Sequence, residues 1–254
     1  MSNKNDTRVA IQETHSIPGY NVYGGRVPRE FTIRAMTTVE EKMRLSSTGF
    51  DVIPRLISAC TVSPENVDIG DLKLFDVQFL MYKLRTVTYG PDYKITLRCP
   101  HCGDVVDTTV NLDNLEVKVV PDDFVEPFEI GPLPVSKDVL ECRILSSNDF
   151  MNIEREAKRI KNKNPNYVGD PEFILGYQYK IEKINGEELP PFKVQGYIEK
   201  MNARDLRYFD SKYNKIAEGY GINNISTQTC PHCGKDFNFV LPINDEFFRP
   251  TYDD

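Results

Sequence analysis

The pentapeptide Cys-Pro-His-Cys-Gly occurs twice in this chain, at residues 99–103 and 230–234, and 127 residues lie between Cys102 and Cys230. A Cys-x-x-Cys pair on a tight turn holds two sulfurs within reach of one metal ion. The glycine that follows accepts the positive φ with which the chain reverses. Two such knuckles supply four sulfurs, the donor set that structural zinc selects in a tetrahedron. Cys99, Cys102, Cys230 and Cys233 are therefore the candidate metal ligands, and one structural Zn2+ per chain is the expected cofactor. Residues on both sides of each knuckle read as strands, so each pentapeptide is placed at the tip of a β-hairpin, the layout of a zinc ribbon.

The spacing is far longer than the roughly 15–20 residues of a compact ribbon. Length alone does not forbid a shared ion. Closing a flexible loop of this size costs about 4 kcal/mol, whereas structural zinc contributes about 10–16 kcal/mol in small peptides. One ribbon, split by a folded insertion, is the expectation.

A rival reading takes Cys-Pro-His-Cys as the redox tetrapeptide of a thiol-disulfide oxidoreductase, where a histidine and a helix N-terminus depress the thiol pKa. That chemistry needs the second cysteine to enter a helix, but here Gly103-Asp104 and Gly234-Lys235 lead into strand-like residues. His101 and His232 sit between the cysteines on the turns and are read as pointing away from the ion. Cys60 and Cys142 lie in apolar surroundings, as buried structural thiols do.

Elsewhere the chain offers little for catalysis. It has three histidines, two of them in the knuckles, and no phosphate-binding loop or His-Glu-x-x-His motif. A site closed by four protein ligands has no position for a substrate water, so no enzymatic activity is expected. Asp122-Asp123, Glu187-Glu188 and Asp253-Asp254 read as solvated turn or terminal charges. Nucleic acid is the partner of many zinc ribbons, and a zinc-ribbon nucleic-acid-binding regulator is the first alternative, with the oxidoreductase second. Its basic candidates are Arg155, Lys158, Arg159, Lys161 and Lys163, but Glu154 and Glu156 interleave and no aromatic residue is placed to stack on bases. A net charge of -7 also opposes it. No apolar stretch approaches the roughly 18 residues of a membrane span, and the polar segment Met1 to Arg8 lacks a secretory leader's apolar region. A soluble intracellular protein with no membrane partner is expected.

The fold class expected is α+β. Residues 1–28 hold Pro18-Gly19, Gly24-Gly25 and Pro28 without hydrophobic periodicity, and read as an extended arm in which Val22 and Tyr23 are available to a neighbour. Residues 29–92 read as mainly helical. Thr38 and Glu41 suggest a capping box, Ser63-Pro64-Glu65 a second cap, and Leu72 to Thr88 a central core helix. Residues 93–114 and 222–246 form the split ribbon. Residues 115–221 form an inserted α+β domain, with helices opening at Ser147, Asp170-Pro171 and Asn202 and a break at Pro190-Pro191. Residues 247–254 form an aromatic tail that packs back on the ribbon or inserts into a neighbour.

Several of these segments together resemble a known family. They are Pro28-Arg29-Glu30, the helix start from Thr37 to Leu45, the helix end Leu84-Arg85-Thr86-Val87-Thr88-Tyr89-Gly90, the two knuckles, and Phe247-Phe248-Arg249-Pro250. In these the chain resembles the baseplate hub proteins of T-even-type bacteriophages, from about Pro28 onward. The resemblance implies a structural component or assembly factor of a contractile-tail baseplate, with no catalytic residues. It implies contacts with other baseplate or tail proteins and self-association within the assembly. It also implies work in the host cytoplasm during assembly and residence in the virion.

Overall fold

The computed structural model describes residues 11–45, 51–243 and 245–248, and their architecture is α+β. Strand β1 (Gln12–Ser16) pairs antiparallel with β2 (Glu30–Arg34), from Gln12 opposite Arg34 to Ser16 opposite Glu30. The arm expected over 1–28 is therefore docked where it is described, and its first ten residues lie outside the described ones. A short 3-10 turn, Tyr20–Tyr23, ends on the left-handed Gly24, and Ile17, Val22, Tyr23 and Val27 are buried. No periodicity announced this. Strand pairing and side-chain hydrogen bonds fix the segment, and neither needs a regular apolar repeat.

Helix α1 (Thr38–Leu45) is capped one residue earlier than Thr38 and Glu41 suggest. The amide and hydroxyl of Thr37 both donate to Glu40 Oε2 at 2.7 Å, and the Val39 amide donates to Thr37 Oγ1 at 3.2 Å. Arg34 Nη2 donates to the same carboxylate at 2.8 Å, and its hydrogen bonding holds Glu40 down to about 2. Helix α2 (Val52–Cys60) leads into β3 (Thr61–Ser63), which joins β2 as the third strand of the sheet. Ser63 thus ends a strand and caps nothing. Asp68 instead caps the 3-10 turn Ile69–Asp71, accepting the Gly70 amide at 2.8 Å. Helix α3 (Leu74–Tyr89) is buried around most of its circumference and forms the centre of the larger core. Residues 29–92 thus hold three helices and the two strands β2 and β3.

One carboxylate deep in this core couples the N-terminal segment to α3. Asp76 is fully buried, and it accepts the Gly19 amide at 2.7 Å and the Tyr23 hydroxyl at 2.5 Å. Tyr23 Oη in turn accepts the Lys73 amide at 2.8 Å, while Lys73 Nζ pairs with Glu126 at 2.8 Å. Burial outweighs the donors and the nearby lysine, and pushes the Asp76 carboxyl up to about 7. The folded state then holds a proton that the unfolded chain has lost, so this group's contribution falls as pH rises from about 4 through 7. Asp76→Asn should gain stability relative to wild type over that interval, on the order of a few kcal/mol. Melting curves of both proteins at pH 5 and pH 8 check this. A difference that does not change with pH would refute it.

The remaining elements follow in order. Strands β4 (Asp92–Arg98) and β5 (Val105–Asn111) form a hairpin. After β6 (Val117–Lys118), β7 (Phe128–Ile130) and β8 (Leu140–Cys142) comes α4 (Ser147–Lys163), opened by a capping box between Ser146 and Asp149. Asp170 caps α5 (Pro171–Lys180), which runs into β9 (Ile181–Ile184) and β10 (Glu187–Glu188). The last two strands complete a four-stranded sheet of order β10-β9-β8-β7. The chain breaks at Pro190-Pro191, between β10 and the next helix. Pro191 opens α6 (Pro191–Lys200), where a missing amide proton is no loss in the first turn. Asn202 caps α7 (Ala203–Ala217), and β11 (Gly221–Ile222) returns to pair with β6. Strands β12 (Ile225–Thr229) and β13 (Asp236–Val240) form the second hairpin.

The aromatic end packs on neither the hairpins' tips nor open solvent. Phe247 is fully buried and Phe248 nearly so. The Phe247 ring stands edge-on to Tyr82 of α3 and Tyr93 of β4, with centroids at 5.1 and 5.3 Å. The buried Arg85 guanidinium donates to the carbonyls of Phe247, Gly90 and Asp92, so its charge is solvated by backbone oxygens. Residues 249–254 lie outside the described ones.

Candidate metal centre

The two pentapeptides fold alike. In the first, the Cys99 amide donates to the Asp104 carbonyl at 2.9 Å and the Gly103 amide to the Cys99 carbonyl at 2.9 Å. In the second, Cys230 donates to Lys235 at 3.0 Å and Gly234 to Cys230 at 2.9 Å. Gly103 (φ 81°) and Gly234 (φ 69°) both occupy the left-handed region, where a side chain would be strained. Each knuckle caps its hairpin, β4–β5 or β12–β13.

The tips meet. Cys99 Sγ lies 3.8 Å from Cys233 Sγ, and Cys102 Sγ lies 3.7 Å from Cys230 Sγ. All four sulfurs fall within 4.8 Å of one another. Four sulfurs about 2.3 Å from a central zinc would have mutual separations of about 3.8 Å. These contacts are also much longer than the roughly 2.05 Å of a disulfide, and all four cysteines are free. The donor set therefore fits a tetrahedral metal ion without rearrangement. Both of these contacts join one knuckle to the other, so an ion here would bridge both hairpins.

The surroundings favour thiolate at Cys99 but not at Cys102 or Cys233. There, against a backbone amide at each, burial and neighbouring sulfurs push the Cys102 thiol up to about 12 and raise that of Cys233. The His101 amide points at Cys99 Sγ from 3.4 Å. Against desolvation, which would raise it, this amide and that of Cys102 bring the Cys99 thiol down to about 6. Cys99 and Cys230 are buried over a small cluster with Val106 and Phe237, whereas Cys102 and Cys233 face solvent. His101 is turned away from the sulfurs, and its Nε2 donates to the Asp236 carbonyl at 3.2 Å across the two hairpins. Thr108 Oγ1 adds a second cross-hairpin bond, to Gln228 Oε1 at 2.8 Å. Sequence reading missed both links, since nothing local marks two residues that meet 120 or more positions apart.

The long separation between knuckles is bridged by backbone. Gly221 and Ile222 of β11 pair with Lys118 and Val117 of β6, and the Asn223 amide donates to the Glu116 carbonyl at 2.9 Å. The segment between the hairpins thus leaves and returns through adjacent strands. The remaining cysteines stay apart from the site. Cys60 and Cys142 are buried, and burial pushes each thiol up to about 12. On α4, Lys158 pairs with Glu154 at 2.5 Å, and Lys161 reaches Asp170 at 3.1 Å.

Fold and site together define an α+β protein in which two distant cysteine knuckles converge on one four-thiol centre able to hold a metal ion. A family model described as "T4 bacteriophage base plate protein" matches residues 19–249, and the chain belongs to that family. No curated protein and no solved structure matches it. Membership supports a structural role in the phage baseplate, within the virion tail and in contact with other baseplate or tail proteins. No helix among the described residues is long and apolar enough to cross a membrane.

Proposed function

We propose that this chain is a structural or assembly protein of the hub region of a contractile-tail baseplate, without enzymatic activity, stabilised by one structural zinc ion. Cys99, Cys102, Cys230 and Cys233 would hold the ion and complete a split zinc ribbon. The carrying observation is the family match over residues 19–249, and the four convergent thiols support the zinc. The ion's part is mechanical: it ties hairpin β4–β5 to hairpin β12–β13. The chain would act in the host cytoplasm during assembly and then remain in the virion.

Contacts with neighbouring subunits through the chain's ends were expected to use Val22, Tyr23, Phe247 and Phe248. These four side chains are buried in the chain's own core, so they are not the anchors. Contact through the ends is kept for residues 1–10 and 249–254. Neither alternative gains support. Each knuckle runs on into a strand, β5 or β13, where a redox tetrapeptide would enter a helix. The basic helix α4 has acidic partners for Lys158 and Lys161.

Mass spectrometry of purified phage particles should detect the chain at a fixed ratio to other tail proteins. Its absence from both finished particles and assembly intermediates would reject the structural role. Elemental analysis of protein purified without chelator should find about one zinc per chain, the number that four thiolates hold in a closed site. Two ions per chain, or none in folded protein, would reject the shared site.

A further inference from the structure

The sheet β10-β9-β8-β7 and the helix that packs on it carry opposite charge on their two outer sides. Ile130, Leu140, Cys142, Ile181 and Ile184 turn inward, onto Phe209 and Tyr213 of α7. Side chains alternate across a strand, so the residues between them face away from the helices. The register sets four of these in one row: Glu129 opposite Glu141, Glu141 opposite Lys183, and Lys183 opposite Glu188. With neighbouring strands about 4.8 Å apart, the row is about 14 Å long. Glu182, at the bulge of β9, is exposed beside it. Two cations stand here, and both are held by acids of the same chain. Lys183 pairs with Glu141 at 2.8 Å, and Arg143 with Asp149 at 2.7 Å and, more loosely, with Glu182 at 3.8 Å. With Arg143 and Asp149 counted as a neutral pair, four glutamates remain against one lysine. Glu129 and Glu188 make no salt bridge among the described residues.

The helix side is basic. Phe209 and Tyr213 point at the sheet, which leaves Arg204, Arg207, Lys212 and Lys215 on the solvent face of α7, all four exposed. At 1.5 Å per residue the stripe from Arg204 to Lys215 is about 16 Å long, close to the length of the acidic row. Among the described residues no ion pair engages any of the four. The acids of α7 do not cancel them. Asp205 is buried and accepts the amides of Val135 and Ser136 at 2.7 and 2.9 Å. Asp210 lies on the flank, engaged by the Tyr177 hydroxyl at 2.7 Å and acting on Lys180. Glu218, at the helix end, joins the solvent face and leaves an excess of three positive charges there. Helix α4 differs, since its Lys158 and Lys161 find acids within the chain. The cations of α7 find none.

We propose that copies of this chain stack head to tail, with the basic face of α7 on one copy lying against the acidic sheet face of the next. Charge complementarity names the occupant: two faces of similar length and opposite excess charge lie on opposite sides of one two-layer unit. Such a contact is heterologous, because it uses a different face on each copy, and it continues into a ring or an open stack. The proposal needs neither the metal ion nor the baseplate reading.

Sedimentation velocity of the full chain over a concentration series tests it. Self-association should weaken about tenfold or more between 0.1 M and 1 M salt, as the Debye length falls from about 10 Å to 3 Å. Two charge-reversed proteins sharpen the test, one carrying Arg207→Glu with Lys215→Glu and the other Glu129→Lys with Glu188→Lys. Each now has two faces of like charge and should be monomeric alone. Mixed in equal amounts, they should associate again, because each supplies the face the other lacks. Arg159→Glu, on α4, should associate like wild type. A wild-type chain still monomeric at about 1 mM, association that salt leaves unchanged, reversed proteins that associate alone, or a mixture that stays monomeric overturns the proposal. A monomeric chain whose α7 retards a DNA fragment assigns the stripe to nucleic acid and overturns it too. None of these readouts uses a phage particle, so their failure leaves the baseplate reading to particle mass spectrometry.

Discussion

Replacing Cys230 by serine is expected to abolish metal binding and to loosen both hairpins, although Cys230 belongs to only one. The Cys102 sulfur of the first knuckle lies 3.7 Å from it. Without the ion, the hairpin tips keep only a small cluster around Val106 and Phe237 and two hydrogen bonds between them, while their bases stay packed in the larger core through Ile95, Val110 and Phe239. Isolated two-stranded hairpins are marginal at best. Because structural zinc contributes about 10–16 kcal/mol in small peptides, losing even a third of that corresponds to a fall in melting temperature of about 10 °C or more for a chain of this size. Hydrogen exchange should show residues 92–111 and 225–240 losing protection together, while α4 keeps its own. A melting shift under about one degree, or exchange confined to the second hairpin, would show that the knuckles do not share an ion.

Phe247→Ala should destabilise the protein by about 3–5 kcal/mol, the usual cost of removing a buried phenylalanine. The ring is fully buried between Tyr82 and Tyr93, and its backbone carbonyl accepts from the buried Arg85. Zinc content should be unchanged, because the residue touches neither knuckle. Thermal melting with parallel elemental analysis separates the two effects. If the variant melts like wild type but fails to enter particles, Phe247 serves a partner and not its own core. The same logic extends to Tyr23→Phe, which would leave Asp76 with one donor fewer, but the larger effect belongs to Phe247.

Much of this protein was legible along the chain because it is encoded locally. Two identical knuckles name four sulfurs whatever the fold, since a Cys-x-x-Cys turn carries its own geometry. Helices α3, α5 and α7 show in their apolar spacing or in caps such as Asp170 and Asn202, and those caps act within three residues. Local signals also mislead by small margins: Thr37 and Glu40 took the cap expected of Thr38 and Glu41 because Arg34 anchors Glu40 from a neighbouring strand. Pro190-Pro191 marks a break after β10, and its second proline also opens α6, a role that composition alone does not give.

Which residues would be covered was decided only by the tertiary structure. Val22, Tyr23, Phe247 and Phe248 sit in segments with no period, and the sequence leaves open whether such side chains meet their own chain or another. The answer came from partners more than 50 residues away, Asp76 for Tyr23 and Tyr82 with Tyr93 for Phe247. The same holds for the acidic row, where Glu129, Glu141, Lys183 and Glu188 meet from four separate strands. A metal site assembled from two stiff turns is set by covalent spacing and sulfur chemistry, which the sequence carries. Burial is set by which surfaces remain to be covered once the strands have paired, and that is a property of the whole fold.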